Sequence, residues 1–291
     1  MTAGNGLAGA RVLVTGASAG IGRAAAIGAV RQGARVMLAA RRLKELEAAV
    51  AEAGGGQAFA VDLSSPDGCE RLGAAVEASL GGLDVVISCA GVAPLQLMAQ
   101  TSDEHWEQVL ATNLVGAHRL LRCCVPLLGR SGTFIALSSD SVLRPRAGLG
   151  AYAASKAGLE HMMSSWRVEN PWLRFTTVSV GDTFPTDFGN GFDGDVLTQV
   201  LDEWGARGFA QAKFMTPGDV AQTLLAIAGA LHGIPGVGID HLTLRSPSPG
   251  VASFMETFAG LAEAAVPAEQ AAEQSAEQAA EQLVEQGESN D

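Results

Sequence analysis

The stretch RVLVTGASAGIGRAAA (residues 11–26) carries three kinds of local information in sixteen residues. Arg11–Thr15 is an apolar, β-branched run, which favours a strand. Gly16, Gly20 and Gly22 follow in a G-x-x-x-G-x-G pattern, and a helical segment begins there. Glycine admits positive φ and lets backbone amides approach a ligand closely. A helix opening at such a turn presents unpaired N–H groups and the positive end of its dipole to a pyrophosphate. Gly16, Ser18, Gly20, Ile21 and Gly22 are therefore the candidate phosphate loop of a first strand–helix unit. Their spacing is not the G-x-G-x-x-G of the most familiar dinucleotide fingerprint.

Outward from this loop the pattern repeats. Further β-rich runs are RVMLAA (35–40), QAFAV (57–61), DVVIS (84–88), GTFIALS (132–138), LRFTTVSV (173–180) and GIDHLTL (238–244). Segments with helical apolar spacing lie between them, among them 102–128 and 151–168. Near-continuous apolar strands alternating with helices predict a seven-stranded, mainly parallel sheet covered on both faces. The fold class is α/β: one doubly wound Rossmann domain over residues 1–262, with right-handed crossovers. In such sheets a cofactor sits beyond the carboxyl ends of the strands, where strand order reverses. Thr216-Pro217 reads as an N-cap followed by proline at the first helical position, opening a helix to about Leu231. In TSDEHWEQ (101–108), Asp103 and Glu104 fit the first turn of a capped helix.

Composition excludes several classes. The chain is 47% hydrophobic, enough for a sizeable core, and its net charge is −12. Eight acids and no bases fall between Glu263 and Asp291, leaving about −4 on residues 1–262. Nucleic-acid binding needs a basic footprint that is missing here. The four cysteines, Cys69, Cys89, Cys123 and Cys124, lack metal-ligand spacing and read as reduced core thiols, so no metal is expected. The five histidines show neither triad nor metal spacing. The opening MTAGNGLAGA lacks the charged start and apolar run of a signal peptide. The most apolar window, VAQTLLAIAGALHGIPGVGI (220–239), is broken by a proline and four glycines, so a buried helix and a turn fit better than a membrane span. A cytoplasmic protein is expected. After Pro267 the four-residue repeat AEQAAEQSAEQAAEQLVEQ sets glutamates at i, i+4, which repel on a helix. With almost no apolar face to dock, residues 263–291 are expected to be a disordered or fraying acidic tail.

The second strand points to the cofactor. NAD binding usually places an acid at its end for the ribose 2′-hydroxyl. Here LAARRLKEL (38–46) has no acid there, and Arg41 and Arg42 follow at once. A guanidinium grips a 2′-phosphate bidentately, whereas a carboxylate repels it. NADP(H) is the expected cofactor, with Arg41 preferred over Arg42.

With these pieces in place, residues 9–245 resemble the short-chain dehydrogenase/reductase family. The elements stand in order: TGASAGIG (15–22), DL (62–63), CAG (89–91), TNLVG (112–116), LSS (137–139), YAASK (152–156) and VSVGDTFPTDF (178–188). The resemblance implies a catalytic set of Asn113, Ser139, Tyr152 and Lys156. It implies that Asp62 and Leu63 frame the adenine and that Cys89, Ala90 and Gly91 pass the cofactor. Lys156 would also hold the nicotinamide ribose. Gly181 occupies the family's proline-glycine position after the sixth strand, and either Thr183 or Thr186 meets the nicotinamide amide. Two departures stand out: SCAG (88–91) where the family often has NNAG, and Val180-Gly181 for proline-glycine.

Tyr152 is the only tyrosine in the chain and Lys156 is one of three lysines. On a helix, positions i and i+4 share a face, their Cβ atoms about 5–6 Å apart. An ammonium beside a phenol favours phenolate, so Lys156 is expected to draw Tyr152 toward a neutral-pH proton shuttle. Ser139 would orient the same substrate oxygen, with Ser138 and Ser141 as rival serines, and Asn113 would anchor a water chain to Lys156. The expected activity is NADP(H)-dependent interconversion of a secondary alcohol and a ketone, or of an aldehyde and its alcohol. A non-catalytic NADP(H) sensor or scaffold and an epimerase using bound nicotinamide are the alternatives. The segment 184–214 is the expected substrate lid. Its aromatic residues suit a bulky apolar substrate or simply lid packing. The family commonly assembles through the helix bearing Tyr152 and its neighbour at 102–128, which implies a homodimer or homotetramer.

Overall fold

Alternation along the strands gives the sheet two apolar faces. The computed structural model describes residues 6–189, 192–209 and 211–248. Its strands are β1 (Arg11–Thr15), β2 (Arg35–Ala40), β3 (Gln57–Ala60), β4 (Leu83–Ser88), β5 (Leu128–Ser139), β6 (Arg174–Val180) and β7 (His241–Leu244). They form one sheet in the order β3-β2-β1-β4-β5-β6-β7, and every neighbouring pair is parallel. Strand order reverses between β1 and β4, which places the switch point at their carboxyl ends.

The helices are α1 (Gly20–Arg31), α2 (Leu43–Ala53), α3 (Pro66–Leu80), α4 (Asp103–Leu110), α5 (Gly116–Cys124), α6 (Gly150–Glu169), α7 (Gly194–Ala206) and α8 (Pro217–Gly233). On one face Val12, Val14, Val36, Leu38, Val85 and Ile87 pack with Ala25, Ala26 and Ala29 of α1 and Leu224 and Leu225 of α8. On the other, Leu13, Met37, Val86 and Phe134 pack with Leu72 and Val76 of α3, Leu120 of α5 and Leu159 and Met163 of α6. Each fully buried leucine or phenylalanine contributes about 1.5–3 kcal/mol of transfer free energy. The alternation explains why strands covered on both faces read as almost unbroken apolar runs. At Gly28 an added Cβ would lie 2.6 Å from Leu225 Cδ1, so α1 and α8 approach at glycine distance.

One element departs from its expected form. The single helix read over 102–128 is α4, a π-helical turn at Ala111–Val115, α5 and a 3₁₀ turn at Val125–Leu127. A Cβ on Gly116 would sit 3.1 Å from the Leu63 carbonyl oxygen, so the π turn ends against the loop after β3. The caps follow expectation: the Ser102 side chain accepts from the His105 N–H, and Thr216 and Asp219 form a reciprocal capping box.

Residues 6–198 and 214–247, as far as they are described, make up one compact unit. Residues 199–213 belong to a second, in which Val200, Leu201 and Trp204 are buried. The expected tail at 263–291 lies outside the described residues.

Candidate active site

The glycine turn between β1 and α1 is a built cradle. Gly16 has φ +69°, and a Cβ there would meet the Ala90 nitrogen at 2.8 Å. A Cβ on Gly22 would meet the Gly16 carbonyl oxygen at 2.4 Å. Only glycine fits either position. The Cys89 N–H donates to the Thr15 carbonyl (3.2 Å) and the Ala17 N–H to the Ala39 carbonyl (3.2 Å), which joins this turn to the ends of β4 and β2. The N-cap of α1 is Ala19, which offers no side-chain cap, and its first turn has no acid. Its leading N–H groups face the cradle with the dipole's positive end, a donor set suited to a pyrophosphate.

The arginines after β2 take different surroundings. Arg42 Nη2 donates to Ser18 Oγ (3.1 Å) and pairs with Asp187 Oδ2 (2.7 Å). The Asp62 carboxyl lies below its ordinary range, chiefly because the Ser64 hydroxyl donates to it, with a smaller contribution from the charge of Arg41. Leu63 is buried. Thr186 lies over the cradle, its methyl 3.7 Å from where a Gly20 Cβ would be. Thr183 instead donates to the Gly181 carbonyl (3.0 Å) and bridges to Met215.

Tyr152, Lys156, Ser139 and Asn113 are brought together within one buried region. Tyr152 is 8% exposed, Lys156 4%, Ser139 7% and Asn113 1%. Lys156 Nζ donates to the Leu137 carbonyl (2.8 Å) and lies 5.7 Å from the centre of the Tyr152 ring. Gly91 runs between Lys156 Nζ and Asn113 Oδ1, each 3.4 Å from where its Cβ would be. Asn113, in the π turn, donates to the Val92 carbonyl (2.8 Å) and accepts from the Val92 N–H (2.8 Å). It also donates to Ser155 Oγ (3.0 Å). Its amide therefore pins the loop after β4 to α6.

Strand alternation separates the rival serines. Ser138 faces α6 and donates to Glu160 Oε1 (2.6 Å). Ser139 Oγ receives the Ser141 N–H (3.2 Å) and hydroxyl (2.9 Å), and its own hydrogen bond reaches Tyr152. His241 Nε2 lies 3.0 Å from Ser179 Oγ.

The electrostatic balance reverses one expectation. Burial is the largest influence on Tyr152 and pushes its phenol up to about 12; the Ser139 hydrogen bond opposes this without overcoming it. Burial also brings Lys156 down to about 8. The protein's own groups therefore hold Tyr152 as a neutral phenol. Lys156 is not among the groups that move the Tyr152 phenol, which burial governs. Cys89 is likewise desolvated, its thiol pushed up to about 12.

Sequence reasoning missed Ser155, Glu160 and Arg146, and counted Phe188 only among the aromatic residues of the expected lid. Ser155 donates to the Tyr152 carbonyl (2.7 Å), and the Phe188 ring meets the Tyr152 ring edge-on at 5.2 Å. Glu160 gathers Ser138 and Ser179, and Arg146 joins Asp140 and Asp182 in buried ion pairs. The polar side chain at Ser155, within YAASK, was the one available signal; the others depend on contacts between distant segments.

The comparisons with known proteins agree with this architecture. The profile of the short chain dehydrogenase family matches residues 10–188. The chain is 34% identical over 227 residues to the glycine betaine reductase ATRR of Emericella nidulans, a match covering 75% of this chain and 17% of that protein. It is 39% identical over 165 residues to L-rhamnose 1-dehydrogenase (NAD(P)(+)) of Azotobacter vinelandii, covering 53% of this chain and 64% of that one. A dehydrogenase/reductase structure from Sinorhizobium meliloti superposes with a TM-score of 0.69 at 28% identity, covering 83% of this chain and 95% of that chain. The chain belongs to the short chain dehydrogenase family, a family of oxidoreductases built on the Rossmann fold. Among the described residues no helix is long and apolar enough to cross a membrane.

Proposed function

We propose that the chain is an NADP(H)-dependent oxidoreductase interconverting a secondary alcohol and a ketone, or an aldehyde and its alcohol, with Tyr152 as general acid/base. The observation that carries this reading is the buried Tyr152 side chain beside Ser139, with Lys156 one helical turn away. The cofactor supplies or accepts the hydride. In the reducing direction Tyr152 protonates the substrate oxygen, whose developing alkoxide is more basic than phenolate; in reverse it takes the proton back. Ser139, whose oxygen accepts from Ser141, turns its proton from Tyr152 to the substrate oxygen and stabilises the charge that develops there. Lys156, anchored on Leu137, holds the ribose, and Asn113 keeps Gly91 and Val92 in place beside it. Phe188 keeps water from one edge of the phenol.

For the cofactor, the phosphate loop of Gly16, Ser18, Gly20, Ile21 and Gly22 takes the pyrophosphate, Asp62 and Leu63 frame the adenine, and Cys89–Gly91 pass the ribose. Arg42, beside Ser18, is better placed for a 2′-phosphate than Arg41, and Thr186 is better placed than Thr183 for the nicotinamide amide. Exposed Val115, Val168 and Trp172 on and beside the helices that bear Asn113 and Tyr152 favour a homodimer or homotetramer; sedimentation velocity at micromolar protein tests it.

Tyr152→Phe is the direct test. It should bind NADPH normally and lose turnover on a ketone and aldehyde panel by roughly 10²–10⁴-fold, the range for a positioned acid/base; unchanged turnover would refute the assignment. Arg42→Ala should weaken NADPH by about tenfold or more and leave NADH affinity alone, as read by cofactor fluorescence. Equal loss for both cofactors would exclude the 2′-phosphate role.

A further inference from the structure

One buried charged cluster has no part in the mechanism above. Arg146 Nη2 lies 3.2 Å from Asp140 Oδ2, and its Nη1 lies 2.8 Å from Asp182 Oδ1. The three side chains are 8%, 4% and 9% exposed. They come from three segments that the proposed chemistry needs together. Asp140 follows Ser139, Arg146 stands four residues before α6, and Asp182 follows Gly181. Backbone bonds fix each partner. The Leu143 and Arg144 N–H groups donate to the Asp140 carbonyl, Leu149 to that of Arg146, and Met215 to that of Asp182.

A buried ion triad is a poor way to gain stability, since desolvation offsets most of its attraction and apolar residues often serve as well. Its particular strength is geometric: a planar guanidinium holds two carboxylates in fixed directions. The cluster also carries two acids against one base, and Asp140 Oδ1 has no hydrogen-bond partner among the described residues. The charges of both Asp140 and Arg146 reach the Tyr152 hydroxyl, and they act on it in opposite senses.

We infer that Arg146 is a positioning residue for the proton chemistry of Tyr152. Its guanidinium locks the Ser139–Asp140 turn, the approach to α6 and the loop after β6 into one arrangement, and its charge offsets that of the Asp140 carboxylate at the phenol. The inference rests on Tyr152 being the acid/base. The other groups facing that hydroxyl are Ser139 from β5 and Phe188 from the segment after β6; Lys156 lies one turn along α6, and Arg144 acts at one remove through Asp182.

Tyr152 is the only tyrosine in the chain, so tyrosinate absorbance titrates this one group in the intact protein, without a substrate. Asp140→Asn should lower the midpoint and Arg146→Gln should raise it, each by on the order of one pH unit. Arg146→Lys, which keeps the charge, should fall close to the wild type. Circular dichroism at each pH reports folding. If Arg146→Gln unfolds before its phenol titrates, Asp140→Asn and Arg146→Lys decide. An Asp140→Asn midpoint that is unmoved or raised, or an Arg146→Lys midpoint displaced as far as that of Arg146→Gln, overturns the inference. Because the readout is a titration, its failure leaves the Tyr152→Phe turnover test of the acid/base standing on its own.

Discussion

Burial acts in opposite senses on the two ionisable groups of the YAASK segment. Lys156 titrates at about 8 in the fold, below its ordinary 10.5, so its stability contribution is fully present above 10.5 and is lost as pH falls through 8. Tyr152 is raised to about 12 from 10, so its contribution is present below 10 and is lost as pH rises through 12. At pH 7 the lysine is therefore held charged against a penalty of up to about 3 kcal/mol. Lys156→Met removes that penalty and also loses the bond to Leu137, worth about 1 kcal/mol. The variant should be more stable at pH 7 by roughly 1–2 kcal/mol in urea unfolding, and the gain should vanish near pH 10. Lower stability at pH 7 with an unchanged pH dependence would refute the burial account. Cofactor affinity should fall in the same variant, a trade of function against stability. Tyr152 and Lys156 stood out in the sequence by their spacing, and Ser139 by the family resemblance. The direction of the tyrosine shift was not, because it depends on how much protein surrounds the ring.

At the scale of elements, the π turn at Ala111–Val115 is the feature that the apolar pattern concealed. A π turn keeps the helical apolar spacing on either side, so 102–128 reads as one helix. The irregularity coincides with Asn113, whose amide makes both bonds to Val92. Asn113→Ala strands the part-buried N–H and carbonyl of Val92, and should cost roughly 1–3 kcal/mol in urea unfolding while weakening NADPH binding. Thr216→Ala at the capping box of α8 is the contrast. It should cost about 1 kcal/mol in urea unfolding, the loss of one cap. This cap was readable from Thr216-Pro217, since its partners lie within one turn. The family resemblance had already chosen Ser139 over Ser138; that Ser138 turns instead to Glu160 on α6 became visible only in the fold.

For the whole molecule, the decisive contact is where the loops after β1 and β4 meet at the reversal of strand order. Gly16→Ala places a Cβ 2.8 Å from backbone at Ala90 and also forces a residue with a side chain to φ +69°. Gly81→Ala has the similar φ of +73° with nothing within 4 Å. The second should cost only about 1–2 kcal/mol of backbone strain. The first should cost clearly more in urea unfolding and abolish NADPH binding. Equal costs would mean that the two loops are free to separate.

The sequence by itself determined the sheet, its parallel sense, the glycine cradle, the helix caps and the spacing that sets Tyr152 one turn from Lys156. Each is encoded by residues close in the chain: a period of two, a period of 3.6, a glycine where a turn demands it, or a tyrosine four places from a lysine. Only the tertiary structure decided which arginine stands by Ser18, which serine faces Tyr152, that Asn113 holds Val92, and that Arg146 joins two aspartates 42 residues apart. These depend on which distant segments the crossovers bring side by side and on how completely water is excluded between them, and neither quantity is a property of any local stretch of chain.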